Sequence, residues 1–152
     1  MPNELLTHPV NPAKAWLSRY RFLMKRRDAL QRAIDDARER SLSCTVRLKP
    51  IHVTGGRGAY DRMAEDTALI VDAEAQLIQA MEEADRALSE ILAAIGNLQS
   101  EAQKTVLTMR YIACMDWTDI QAEMHYERTQ TYIIHGRALN NIKKYLEREY
   151  HL

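Results

Sequence analysis

The side chains best suited to molecular recognition are concentrated near the end of the chain, in the run Arg128-Thr129-Gln130-Thr131-Tyr132-Ile133. An arginine can donate two hydrogen bonds to guanine, a glutamine can pair with adenine, and a threonine can contact a thymine methyl group or a phosphate. Further cations that could bind a phosphate backbone are Arg110, Arg137, Lys143, Lys144 and Arg148. Residue types of this kind in one segment are suited to contact with double-stranded DNA.

Residue groupings typical of catalysis or metal binding do not recur in the sequence. The histidines are scattered, and although His135 and Cys114 could approach each other in a helical bundle, no His/Glu set with i, i+4 spacing accompanies them. The carboxylate pairs Asp35-Asp36, Glu65-Asp66 and Glu82-Glu83 are sequence neighbours, and adjacent residues on a helix do not face each other. No nucleophile motif is present. The sequence therefore predicts neither an enzyme nor a metal or cofactor site.

The overall charge is zero, because 21 Lys and Arg balance 21 Asp and Glu in 152 residues. This neutrality is a cancellation: residues 1–49 carry a surplus of +6, residues 50–98 carry −6, and residues 99–152 carry zero. A neutral chain argues against non-specific coating of nucleic acid. With no signal peptide, no membrane span and only two isolated cysteines, we expect a cytoplasmic protein.

A first long helix is predicted over residues 13–41. Mostly apolar residues follow at alternating spacings of four and three from Trp16 to Ser41, with Arg27 as the charged position. This is a heptad pattern, which is typical of a helix that packs against another helix. Asn11 precedes a proline and is a good helix cap.

A second long helix is predicted over residues 61–95, with Asp61 as its cap and Gly96 at its end. Its predicted heptad positions are Met63, Thr67, Ile70, Glu74, Leu77, Met81, Ala84, Leu88, Ile91 and Ile95. Two heptad helices joined by a loop predict an antiparallel, coiled-coil-like hairpin. Because the first helix is basic and the second acidic, we expect ion pairs across the hairpin. The basic side chains around Lys25 could alternatively contact DNA. A remaining apolar edge predicts self-association, as a dimer or a larger homo-oligomer.

The connection between these helices is predicted to be a loop over residues 42–60. It contains Pro50 and the glycine cluster 55–58, and a weak alternation of Val46, Leu48, Ile51 and Val53 suggests a short extended arm. The glycines could bind a phosphate through backbone N–H groups, but the Lys-Ser/Thr of a P-loop is missing. A flexible turn is the simpler interpretation.

Three shorter helices are predicted near residues 100–113, 117–125 and 128–149, with Ser100 as a cap of the first. A short helix, a tight turn and a longer helix with polar residues at its start suggest a helix-turn-helix. The expected apolar face of the second helix is Trp117, Ile120 and Met124, and that of the third is Ile134, Ala138, Leu139, Ile142, Tyr145 and Leu146. The end of the third helix could pack on the hairpin or on a second copy.

The stretch from Leu98 to Ile142 resembles region four of the sigma factors of RNA polymerase, which reads the promoter −35 element. The resemblance rests on Arg110-Tyr111, Trp117-Thr118-Asp119-Ile120 and Arg137-Ala138-Leu139. Residues 14–145 also resemble small phage and prophage regulators of the RinA and ArpU type. That likeness rests on Val53-Thr54-Gly55-Gly56-Arg57, Ile70-Val71-Asp72-Ala73-Glu74 and Ile134-His135-Gly136-Arg137-Ala138-Leu139.

The resemblance implies an all-α protein with a hairpin domain at residues 1–97 and a sigma-like helix-turn-helix domain at residues 98–152. It implies a non-enzymatic transcription regulator that binds promoter DNA in a bacterial host cell, with RNA polymerase as a candidate partner. The implied base-facing residues are Arg128, Thr129, Tyr132 and Ile133, next to Gln130, and the implied backbone contacts are Arg110, Thr118 and Arg137.

Departures from the sigma pattern keep other functions open. His125 stands where the turn of that family has Gly, Glu127 replaces a Ser or Thr cap, and Ile133 replaces a polar residue. An oligomeric adaptor with a vestigial helix-turn-helix, acting on RNA polymerase or in phage assembly, is the alternative. The small subunit of a packaging terminase is a third reading, since it shares oligomeric coiled coils and a helix-turn-helix.

Overall fold

The computed structural model describes residues 11–47 and 57–151, and the regular structure in these ranges is entirely helical. The helices are α1 (Pro12–Arg47), α2 (Arg57–Gly96), α3 (Glu101–Leu107), α4 (Trp117–Met124) and α5 (Arg128–Tyr150). A π-helical turn, Thr108–Ile112, directly follows α3. The predicted all-α fold with a long helical hairpin is confirmed.

The helix ends follow local capping chemistry. Asn11 Oδ1 accepts a hydrogen bond from the Ala13 N–H at 3.0 Å, with Pro12 at the first helical position of α1. Ser100 Oγ accepts from the Gln103 N–H at 3.4 Å and begins α3. Helix α2 ends at Gly96, one residue later than the predicted end at residue 95. These three helix ends could be predicted from the sequence because each depends on only a few neighbouring residues.

The connection between α1 and α2 is shorter than the predicted loop of residues 42–60. Helix α1 continues to Arg47 and α2 already begins at Arg57, so Val46 is helical rather than extended and Asp61 lies inside α2 instead of capping it. No glycine or proline interrupts residues 42–47, and the helix therefore extends past its last heptad position. The remaining candidates, Leu48, Pro50, Ile51, Val53 and the first two glycines of the cluster, lie outside the described residues.

Contacts divide the chain into two compact units, to which both long helices contribute. The first unit contains residues 11–22 and 85–151, and the second contains residues 23–47 and 57–84 of the described chain. In the first unit one core combines residues from α1, α2, the α2–α3 connection, α3, the π turn and α5: Ala13, Leu17, Ile91, Ala94, Ile95, Leu98, Leu107, Tyr111, Ala138, Leu139, Ile142 and Leu146. The expected domain boundary at residue 97 separates residues that share this core.

The end of α5 packs on the hairpin helices, which resolves an alternative that the sequence left open. Ile142 and Leu146 are buried in the core of the first unit together with Leu17. Farther along α5, the Tyr150 ring lies 6.3 Å from that of Trp16. The first turns of α1 therefore help to hold the C-terminal half of α5.

Ion pairs join α1 to α2, as the opposite charges predict. Arg19 pairs with Glu90 in the first unit. In the second unit Arg38 pairs with Glu74 at 2.5 Å and Arg40 with Asp66 at 3.3 Å. Rising numbers in α1 meet falling numbers in α2, so the helices are antiparallel. Each pair is partly exposed and contributes about 0–1 kcal/mol, and its main effect is to favour this orientation.

The buried stripe of α2 differs from the predicted heptad. Alanines at every seventh position, Ala73, Ala80, Ala87 and Ala94, are buried, whereas the predicted position Met81 is 48% exposed. Leu77, Ala84 and Ile91 were correctly placed at or near the contact, and Thr67 was not. Small alanines allow the two backbones to approach closely, and this favours the alanine-rich edge of the helix over the edge with larger side chains.

No helix in the described part of the chain has an apolar stretch long enough to span a lipid bilayer.

Candidate nucleic-acid interface

Helices α4 and α5, joined by the turn 125–127, form the unit that carries the predicted recognition residues. We call it the α4–turn–α5 unit. Its helix boundaries agree with the predicted ones within one residue. Ile120 is the fully buried residue of α4, while Trp117 and Met124 are half-buried on the same face.

The turn is held by backbone hydrogen bonds around a left-handed residue. His125 has φ 54° and ψ 35°, a conformation that glycine adopts without steric cost. The N–H of His125 donates to the Ala122 carbonyl at 3.3 Å, and that of Tyr126 donates to the Gln121 carbonyl at 3.2 Å. This is the bonding of a Schellman motif, which ends α4 and turns the chain into α5. The turn thus forms although His125 replaces the expected glycine.

Helix α5 begins without a side-chain cap. Glu127 occupies the cap position with extended backbone, and its carboxylate makes no capping hydrogen bond. Its carbonyl accepts from the Thr131 N–H at 3.0 Å and from Thr131 Oγ1 at 3.1 Å. A Ser or Thr at this position would supply the missing cap. The first N–H groups of α5 consequently remain without a side-chain partner from Glu127.

The two faces of α5 differ sharply in burial. Thr131, His135, Ala138, Leu139, Ile142 and Leu146 are buried. The recognition residues predicted on this helix are all exposed, namely Arg128, Thr129, Gln130, Tyr132, Ile133 and Arg137. Positions 128, 129, 132, 133 and 137 share one side of a helix because they repeat at helical spacing. We call this side the outer face of α5.

Thr118 and Arg110, the predicted backbone contacts outside α5, lie in different environments. Thr118 is exposed in the first turn of α4. Arg110 is half-buried: its Nη1 donates to the Met115 carbonyl at 2.8 Å, and its guanidinium lies 4.9 Å from the centre of the Trp117 ring. Arg110 therefore connects the π turn to the start of α4, and its hydrogen bond is directed inside the protein.

Trp117 packs against Tyr132, a residue of the outer face. Its ring lies 4.7 Å from that of Tyr132 and 4.8 Å, edge to face, from that of His135. The Arg128 guanidinium in turn lies 5.7 Å from the centre of the Tyr132 ring. Contacts of this kind restrict the rotamers of Tyr132 and Arg128. The interpretation of Trp117 as a packing residue agrees with this geometry.

A buried polar contact that the sequence reasoning missed joins α5 to the π turn. The Tyr111 hydroxyl and His135 Nε2 are 2.9 Å apart and hydrogen-bonded, and the two rings are stacked. Burial raises the pKa of Tyr111 to about 12 and lowers the pKa of His135 to about 4, with Lys14 and Arg110 adding to the shift of His135. Both side chains are therefore neutral at pH 7. The helical spacing of His135 from Thr131 and Ala138 was the available hint of its burial.

His135 and Cys114, the pair that could approach each other in a helical bundle, belong to no cluster of metal ligands in the described ranges. No group of three or more His, Cys, Asp or Glu side chains within the described ranges is arranged to hold a metal ion. His135 instead makes its hydrogen bond to Tyr111.

Only some of the basic side chains of α1 form ion pairs with the acidic residues of α2. Arg19 pairs across the hairpin, and Arg27 pairs with its neighbour Asp28 at 2.7 Å. Lys25, Arg26 and Arg32 are exposed, and none of them has an ion-pair partner among the described residues. A direct comparison between these cations and those of α5 is therefore needed in any DNA-binding experiment.

Residues 42–146 match the family described as a protein of unknown function, DUF1492. The match covers more than half of the chain, which therefore belongs to that family. Comparisons with curated proteins and with solved structures gave no significant match.

Proposed function

We propose that this member of the DUF1492 family is a DNA-binding transcription regulator that reads promoter DNA with its α4–turn–α5 unit. The observation that carries the proposal is the outer face of α5, where Arg128, Thr129, Tyr132 and Arg137 are exposed. The opposite side of the helix is anchored in the core of the first unit. A helix held in this way can enter a major groove without losing its own packing.

The residues have different roles in this proposal. Arg128 and Thr129 open α5 and contact base edges, with Gln130 beside them, as the first turn of a recognition helix does. Tyr132 and Ile133 follow one turn later. Arg137 and Thr118 bind phosphates, which orients the protein on the duplex. Because its guanidinium bonds to Met115, Arg110 acts as a positioning residue for α4.

Weak binding by a single copy is expected. Residues 99–152 carry no net charge, and Glu127 places a carboxylate at the start of α5. Few phosphates can then be neutralised, and phosphate contacts dominate affinity for DNA. Self-association of the hairpin, or joint binding with RNA polymerase, would supply the missing affinity. The proposed setting is the cytoplasm of a bacterial host, in a regulator of phage or prophage origin.

Selection of bound sequences from random duplex DNA, followed by titration at low and moderate salt, tests the proposal. Arg128→Ala should cost about 1–3 kcal/mol of binding to the selected sequence and relax the preference at one base pair. Arg32→Ala is the matched control, since it removes an exposed cation from α1. If no sequence is enriched, or if Arg32→Ala weakens binding as much as Arg128→Ala, reading by α5 is refuted.

An oligomeric adaptor without DNA recognition is the second candidate, and Ile133 favours it. This side chain is 48% exposed on the outer face, where an apolar residue is unusual for contact with DNA and ordinary for contact with protein. Co-purification with RNA polymerase that withstands nuclease treatment and requires Ile133 would support the adaptor. Ring-shaped oligomers that recruit a packaging ATPase would instead indicate a small terminase subunit.

A further inference from the structure

A cleft of about 260 Å³ opens in the first unit, where the end of α2 and the start of α3 approach the C-terminal half of α5. Two cations, Lys144 and Arg148, line it together with polar side chains that include Ser100, Gln103 and Asn141. We call it the α3–α5 cleft. None of the described residues that line it carries a carboxylate. A concave surface with several polar groups and one sign of charge is suited to a small charged ligand.

The two cations of the cleft repel each other. Lys144 and Arg148 are four residues apart in α5, so they lie on the same side of the helix. The preceding residue, Lys143, is also followed by a charged side chain four positions later, but this is Glu147, and the two are paired at 3.8 Å. Lys144 has no ion-pair partner among the described residues. Like charges at this spacing destabilise a helix, and a bound anion would offset that repulsion.

The Arg148 guanidinium is held at the cleft by a ring contact. Its Cζ lies 5.7 Å from the centre of the Tyr145 ring, which also lines the cleft and packs against the core of the first unit. The ion pair of Arg148 with the neighbouring Glu149 uses Nε, at 3.3 Å, and leaves the two Nη atoms available. An arginine that stacks on an aromatic ring is partly ordered before it binds. Its terminal nitrogens match two oxygens of a carboxylate or a phosphate.

Polar side chains around the cleft supply further hydrogen-bond donors. Asn141 Nδ2 donates to Gln103 Oε1 at 2.9 Å, which joins α5 to α3. The Nε2 group of Gln103 has no hydrogen-bond partner among the described residues. Ser100 Oγ accepts from the Gln103 N–H at 3.4 Å, so its own hydroxyl proton is available for donation. Available donors beside two cations favour a ligand that presents negatively charged oxygen atoms.

We propose that the α3–α5 cleft binds a small organic dianion, which is either a phosphate monoester or a dicarboxylate. Two cations match a charge of about −2, which both kinds of compound carry near pH 7. The Tyr145 ring and the apolar side chains of Ala94 and Leu98 line the same cleft and would contact the carbon atoms of the ligand. The volume of about 260 Å³ is slightly below the roughly 300 Å³ at which typical ligand pockets begin, so the ligand is small. No residue of the outer face of α5 lines the cleft, and this binding therefore does not rest on the proposed function.

Titration of the full chain without DNA, followed by NMR of its side-chain amide groups at constant ionic strength, tests the site. The probes are glycerol phosphate for the phosphate monoesters and succinate for the dicarboxylates, and glycerol is the uncharged control. The signals of Gln103 and Asn141 should shift with at least one of the two anions and reach saturation, with a dissociation constant on the order of 1 mM. Glycerol should leave them unchanged. The anion that binds more tightly identifies the kind of ligand.

Neighbouring lysines provide a matched pair of variants. Lys144→Gln removes a cation of the cleft and should weaken binding by about tenfold, because a hydrogen bond to a charged group is lost. Lys143→Gln makes the same change in charge at a residue that does not line the cleft, and it should leave the dissociation constant unchanged. Both lysines are exposed, and circular dichroism checks that each variant keeps its helices. The anion should raise the Tm of the wild type and of Lys143→Gln, and should raise that of Lys144→Gln much less.

Three results would overturn the proposal. The first is the absence of saturable shifts with either anion at concentrations well above the expected dissociation constant. The second is an equal loss of affinity in Lys143→Gln and Lys144→Gln, which would indicate attraction by the general charge of α5. The third is a Lys144→Gln variant that is less stable but binds as the wild type does. The lysine would then act on the last carbonyls of α2, a helix without a basic residue in its last turn. Because DNA is absent, failure of the proposed DNA binding leaves these results unchanged.

Discussion

Lowering the pH from 7 to 5 is expected to destabilise the first unit through one buried side chain, His135. This residue is 8% exposed, hydrogen-bonded to Tyr111 and in edge contact with Trp117. Burial is the largest cause that lowers its pKa, from 6.5 to about 4. In the unfolded chain the same imidazole regains its ordinary pKa, so the unfolded state binds more protons than the folded state between these two values.

The sign and the size of the effect follow from this difference. Because the folded pKa is depressed, the neutral histidine contributes its full stability above pH 6.5, and this contribution falls as the pH drops towards 4. The free energy of unfolding falls by about 3 kcal/mol in total once His135 is protonated in both the folded and the unfolded state. About 2 kcal/mol of this loss occurs between pH 7 and pH 5. For a domain of marginal stability this is a large fraction of the free energy of unfolding.

Urea denaturation followed by tryptophan fluorescence measures the effect where it is expected. Trp16 and Trp117 both lie in the first unit, and Trp117 contacts His135 directly. The control is His135→Gln, which keeps a polar group near the Tyr111 hydroxyl but does not titrate. Carboxylates contribute equally to the pH dependence of both proteins, so the difference between wild type and variant isolates His135.

The wild type should lose about 2 kcal/mol more than His135→Gln between pH 7 and pH 5. A variant that is less stable at pH 7 does not affect this comparison, since the readout is the change with pH. Equal losses in the two proteins would mean that His135 titrates normally in the folded state. Burial of its ring would then not lower the pKa of His135 as expected.

Three further substitutions test other contacts. His125→Gly should raise the free energy of unfolding by about 1 kcal/mol, because glycine adopts φ 54° without strain, and unchanged stability in thermal melts would argue against the left-handed turn. Ile142→Ala should lower the free energy of unfolding by about 2–5 kcal/mol in urea denaturation, since Ile142 is fully buried in the core, and a loss below about 1 kcal/mol would contradict that burial. Glu127→Gln should tighten DNA binding at low salt by removing a carboxylate from the start of α5, and unchanged affinity would place the DNA elsewhere.

The contact surface of α2 shows which features of helix packing a heptad pattern can predict. The spacing correctly indicated a long helix that packs against α1, and Leu77, Ala84 and Ile91 belong to both the predicted and the observed stripe or its edge. The observed contact is centred on the alanines and not on the predicted heptad positions, because a helix with several apolar edges can pack through any one of them. The choice depends on how closely the partner backbone approaches, which is a property of the pair and not of one helix.

The sequence by itself determined the features that depend on a few neighbouring residues. These are the all-helical fold, the caps at Asn11 and Ser100, the end of α2 at Gly96 and the position of the turn near His125. It also determined the antiparallel ion pairs, because the opposite charges of the two helices are a matter of composition. Helical periodicity and capping depend on residues within one or two helical turns, so both can be predicted from the sequence alone.

Only the tertiary structure decided which side chains are buried and which elements share a core. The first turns of α1 pack with α5, Arg110 bonds to the Met115 carbonyl, and His135 meets Tyr111. Each of these contacts joins different elements, and the last links residues 24 positions apart in the sequence. Their formation depends on the packing of all the helices at once, and no local pattern specifies that packing.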